Sequence, residues 1–77
     1  MKLNNQNLIK LGQQIRKLRK LKGFSQEDFA AEVGLDISYM GGVERGERNI
    51  AALNLIKIAK TLNVEVGKLF SNIDQLL

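Results

Sequence analysis

The side chains of this chain that are able to do chemistry are mostly cations and amides. Lys2, Lys10, Arg16, Lys17, Arg19, Lys20 and Lys22 all come before the first acidic residue, Glu27. A second group, Arg45, Arg48 and Asn49, follows a glycine pair in the stretch LDISYMGGVERGERNI. Guanidinium, ammonium and amide donors hold anions, phosphates above all, and a basic face is the electrostatic footprint of a nucleic-acid binder. Catalysis has little to work with. The chain has no His and no Cys, which removes the commonest general base, the commonest metal ligand and any thiolate centre or disulfide. GGVERGER gives Gly41 and Gly46 the spacing of a phosphate loop, but Glu47 stands where that motif requires Lys and no strand precedes it. The residues therefore predict no enzyme, no cofactor and no metal site.

The elements that must carry these donors form one small domain. The chain has 77 residues, 44% of them hydrophobic, with a net charge of +4. That suffices for a single core spanning 1–77 and excludes a disordered tail. The segment MKLNNQNLIK is too polar for a signal peptide, and no apolar run reaches membrane-spanning length. The expectation is a cytoplasmic protein with no membrane partner.

Leu8, Leu11, Ile15 and Leu18 recur at helical spacing, predicting a first helix over about Gln6 to Lys22 that Gly23 ends. Ser25 then opens S-Q-E-D, a helix start with a cap hydroxyl and Asp28 three residues on. This second helix buries Phe29, Ala30 and Val33 and closes at Gly34. Asp36 caps a third helix that Gly46 ends. A fourth spans Ala52 to Leu62 with Asn63 as a left-handed stop. A fifth begins near Val66 and continues weakly through Ser71 to Leu77. No alternating strand pattern is present, so the class is all-α, a compact five-helix domain.

The third helix poses the main question. At about 100° per residue, Met40 and Val43 face the core. The opposite arc is then Ser38, Gly41, Gly42 and Arg45, with Ile37 at its edge. An ordinary solvent face would carry Glu, Lys and Gln, and each glycine costs about 1 kcal/mol against Ala in a helix interior. A face stripped of side chains suits close approach to something bulky, and the DNA major groove admits one α-helix. The reading is that Gly41 and Gly42, and Gly42 above all, let the helix backbone lie close to DNA; the alternative is that protein packing needs a small residue there or that the helix is irregular.

Here the residues resemble a known family. QEDFAAEVGLDISYMGGVER carries the helix-turn-helix signature of the phage repressor and Cro-like (XRE) family. In it Ala30 is the small residue at the helix crossing, Gly34 the turn glycine, and Met40 and Val43 the buried anchors. IRKLRKLKGFSQEDFA, VERGERN and LNVEVGKLF are also similar, so the resemblance covers about 12–70. It implies a lambda-repressor-like five-helix fold and sequence-specific binding of double-stranded DNA. DISYMGGVERGERNI most resembles the controller proteins of restriction–modification systems. The resemblance implies base contacts at Ile37 and Ser38, neither of which makes the bidentate bonds of Arg, Asn or Gln. It points Gln26, in the first turn of the second helix, to a phosphate. From their position at the exit of the third helix, Arg45, Arg48 and Asn49 are expected to clamp the DNA backbone, with a solvated loop charge as the alternative for Arg48. Tyr39, flanking the buried side, is expected to turn its hydroxyl to a phosphate. Arg19 and Glu44 are implied to form a structural ion pair. The family often places Ser or Thr where this chain has Ala51 as cap of the fourth helix, which leaves that cap without a side-chain acceptor.

The fourth helix speaks to assembly. Ala52, Leu55, Ile58, Ala59 and Leu62 form a core stripe, and Leu53 and Ile56 widen it beyond what a surface helix needs. With Val66, Leu69 and Ile73, and with Phe70, Leu76 and Leu77 beside them, they predict a homodimer interface; the competing view buries Leu69 and Phe70 in the monomer core. A dimer places two recognition helices about 34 Å apart for a palindromic operator. The rival function is an antitoxin-type protein-interaction module that also binds DNA. Contact with RNA polymerase, and activation as against repression, are not written in these residues.

Overall fold

Asn5 starts the first helix. Its side-chain Oδ1 accepts from the N–H groups of Asn7 and Leu8, at 2.9 and 3.2 Å, satisfying donors that a helix leaves free at its beginning. The computed structural model describes residues 5–73; Lys2, Leu76 and Leu77 lie outside this range. The helices are α1, Gln6–Leu21; α2, Gln26–Val33; α3, Ile37–Glu44; and α4, Ala52–Leu62, followed by a 3-10 turn, Val66–Phe70.

Local chemistry places each boundary. The Ser25 Oγ accepts from the Asp28 N–H at 3.0 Å, and Asp36 accepts from Ser38 and Tyr39. Gly34 joins α2 to α3 at φ 87°, a left-handed conformation that glycine adopts without steric cost. Asn63 ends α4 in the same region, at φ 59°. Ala51 caps α4 with no side-chain hydrogen bond.

Two expectations are corrected. The fifth helix is a 3-10 turn: it is five residues long with Gly67 inside it and no side-chain cap at Glu65, too short and too poor in helix formers to sustain α geometry. Ser71 to Ile73 form no helix, so the weak extension is absent there, and its remainder lies outside the described residues. Ala52, assigned to the core stripe of α4, is exposed.

The core gathers Leu11, Ile15 and Leu18 from α1, Phe29, Ala30 and Val33 from α2, Met40 and Val43 from α3, Ile58, Ala59 and Leu62 from α4, and Leu69 from the turn. What holds α3 in place is a backbone-to-backbone crossing. A Cβ at Gly12 of α1 would overlap the Val43 carbonyl oxygen and sit 2.6 Å from that of Glu44. The 3-10 turn is fastened to α1 by buried Gln14, whose Nε2 donates to the Lys68 carbonyl at 3.1 Å and the Ser71 hydroxyl at 2.8 Å.

Candidate nucleic-acid interface

Burial on α3 divides as a groove-reading helix requires. Met40 and Val43 are fully buried, at 0% and 1% exposure, whereas Ile37, Ser38 and Arg45 face solvent. Tyr39 is half-buried between the two sides. The turn at Gly34 leads into the first residues of α3, Ile37 and Ser38, both exposed.

Beneath this surface lies a polar brace. Arg19 Nε and Nη2 donate to the two Glu44 carboxylate oxygens at 2.6 and 3.0 Å, and Arg19 Nη1 donates to the Phe24 carbonyl at 2.8 Å. Both side chains are almost wholly buried. Gln26 joins them, its Nε2 donating to Glu44 Oε1 at 3.0 Å. An amide nitrogen carries two protons, so one is committed to orienting the side chain and one remains. The brace thus ties α1, α2 and the end of α3 together and aims Gln26 along the rim of an open depression of about 250 Å³, lined by Arg16, Arg19, Gln26, Gly41, Glu44 and Arg45.

The glycines are not bare. Gly41 and Gly42 are buried, each roofed by an arginine. A Cβ at Gly41 would lie 3.1 Å from Arg45 Nη1 and 3.5 Å from Gln26 Oε1; one at Gly42 would lie 2.9 Å from Arg48 Cγ and 3.1 Å from its Nε. The exposed arc expected at Gly41 and Gly42 is therefore a pair of seats for side chains, the Arg45 guanidinium over Gly41 and the Arg48 stem over Gly42. Both seats are lined by side chains and not by backbone, and the two arginines over them are exposed. Arg45 also meets Glu47 at 3.1 Å, with both side chains about 60% exposed, a solvated pair worth about 0–1 kcal/mol and readily exchanged for another anion. Arg48 lies over the Tyr39 ring, 5.7 Å from its centroid, and the Tyr39 hydroxyl accepts from Asn54 Nδ2 of α4 at 3.4 Å. Asn49 is exposed on the same exit loop.

The residues assigned to assembly separate. Leu53, Ile56 and Val66 are exposed, at 63%, 45% and 38%, while Leu69 is 0% exposed. Leu69 is thereby corrected to a core residue: the 3-10 turn drives it inward against α1 and α4, and no partner can reach it. Ile73 is half-buried against the same core.

Sequence reasoning named Arg16 only as one of the basic residues of the first helix, without singling it out for the rim, and missed Asn54 as the partner of Tyr39. Arg16 had a signal, since it lies one turn before Arg19 on α1. Asn54 had none, because its contact is tertiary.

A helix-turn-helix family model matches residues 15–69. The chain is 43% identical over 68 residues to the control protein C.MunI of a Mycoplasma species, covering 87% of this chain and 92% of that protein. The crystal structure of the restriction–modification controller protein C.AhdI from Aeromonas hydrophila superimposes with a TM-score of 0.84 at 50% identity, covering 86% of this chain and 100% of that one. SinR, solved in complex with DNA, superimposes with a TM-score of 0.74 at 35% identity, covering 77% of this chain and 95% of that one. The chain belongs to the helix-turn-helix family, in its XRE-type branch, with restriction–modification control proteins among its relatives.

Proposed function

We propose that this protein is a sequence-specific transcriptional regulator that binds double-stranded DNA as a homodimer at a palindromic operator, in the manner of a restriction–modification controller. The observation that carries this reading is the division of α3: its anchors Met40 and Val43 are buried, while Ile37, Ser38 and the arginines over the glycine pair face outward. Ile37 meets a thymine methyl and Ser38 a base edge. Gln26, Tyr39, Arg45, Arg48 and Asn49 hold phosphates on either side of the groove. Direct readout by Ile37 and Ser38 is thin, so specificity comes from two half-sites and from DNA deformation between them.

Leu53, Ile56 and Val66 supply the apolar surface for the second chain, with Ile73 at its edge. The same surface supports the second reading, an antitoxin-type module, in which another protein covers it. A reading frame for an endonuclease or for a toxin beside the gene separates the two. No cofactor or metal is needed for binding of this kind, and the cytoplasm is where it takes place.

The test is a titration of the protein into the duplex upstream of its own gene beside a scrambled duplex at near-physiological salt. Saturable preference for the upstream duplex supports the proposal; equal binding to both, abolished by salt, contradicts specificity.

A further inference from the structure

We propose that Gly42 is a positioning residue that acts through Arg48. The inference rests on the DNA-binding reading above and gives the glycine a different task from that of letting DNA approach the helix backbone.

Three observations converge on it. The chain turns back at the end of α3: the Gly46 N–H donates to the Val43 carbonyl at 3.1 Å and the Glu47 N–H to the Gly42 carbonyl at 2.9 Å. This crossed pair of bonds closes a helix around a left-handed residue, and it brings residue 48 alongside residue 42. The Arg48 stem then runs over the glycine, with Cγ, Nε and Cδ at 2.9, 3.1 and 3.5 Å from where a Cβ would stand. Beyond it the guanidinium reaches the face of Tyr39 at 5.7 Å, and Tyr39 is in turn held by Asn54. Gly42, Arg48, Tyr39 and Asn54 form one packed line from the α3 backbone to α4.

A long, flexible side chain on an exit loop has many rotamers to lose when it binds. Seating its stem in the notch at Gly42 and its head against Tyr39 removes much of that freedom before DNA arrives. Even alanine at 42 fills the notch and lifts Arg48 out of it. The displaced side chain is exposed and mobile, so the fold tolerates the change while the placement of the guanidinium is lost.

Two measurements test this. In the free protein, an NOE between the Gly42 α-protons and the Arg48 γ- or δ-protons is expected; its absence overturns the seating. In a double-mutant cycle on the upstream duplex, Gly42→Ala is expected to raise Kd about 3- to 10-fold, Arg48→Ala at least as much, and Gly42→Ala in the Arg48→Ala background to add nothing. Additive losses, or no loss for Gly42→Ala alone, overturn the inference, the first because the glycine then acts on DNA without Arg48. Thermal melts accompany the cycle, and Gly42→Ala is expected to melt no lower than wild type. A wild type that does not prefer the upstream duplex counts against the DNA reading; an additive cycle on a wild type that does prefer it counts against the role of Gly42 alone.

Discussion

Arg19 and Glu44 meet through two hydrogen bonds, at 2.6 and 3.0 Å, with both side chains almost wholly buried and the carboxylate shared with Gln26. The pair lies directly under the proposed DNA-facing surface, so it links the stability of the domain to the placement of Gln26, the proposed phosphate contact. Removing one partner leaves a buried, uncompensated charge. Arg19→Ala or Glu44→Ala is therefore expected to lower unfolding free energy by about 3–5 kcal/mol, measured by urea denaturation. The double change Arg19→Met with Glu44→Leu is expected to recover most of that loss. Equal instability of the single and double variants contradicts this account of the brace.

Glycines of the same type are expected to respond differently to one substitution. Gly12→Ala drives a methyl group into the carbonyl oxygens of Val43 and Glu44 and is expected to cost about 1–3 kcal/mol or more. At Gly41 the added methyl meets only the tip of Arg45, at 3.1 Å, and Gln26 at 3.5 Å, so the gain in helix propensity, up to about 1 kcal/mol, is expected to dominate. Thermal melts of the two variants should move in opposite directions.

Ala51 begins α4 with no side-chain cap bond, in extended geometry at φ −65° and ψ 146°. Ala51→Ser or Ala51→Asp places an acceptor there without altering the backbone and is expected to stabilise the domain by about 1 kcal/mol. No change in denaturation midpoint contradicts the assignment of Ala51 as the cap.

The exposed apolar surface and the buried one also separate by mutation. Leu53→Glu and Ile56→Glu are expected to leave the monomer folded and abolish self-association in sedimentation experiments, since both side chains are exposed. Leu69→Ala opens a cavity in the core and is expected to cost about 2–5 kcal/mol. Association that survives both glutamates contradicts a dimer through α4.

The fold was readable where one local rule decides. The α2–α3 turn and the stop at Asn63 rest on residue types that tolerate a left-handed backbone, the Asp36 cap rests on a carboxylate that accepts from its own helix, and each stands where the pattern puts it. Failures begin where an outcome needs a tertiary partner. Periodicity assigns Leu69 an apolar face but not which body covers it. The glycine face of α3 was legible as an anomaly, yet its filling by Arg45 and Arg48 was not, because the returning loop lies outside any helical period.

The central claim, that α3 of each chain of a dimer enters the major groove, is tested most directly by methylation interference at guanine N7, an atom that lies in that groove. On the upstream duplex the account predicts interference in two clusters about 10 bp apart, or a multiple of that spacing, one for each recognition helix. Binding that is indifferent to N7 methylation but displaced by a minor-groove ligand contradicts it.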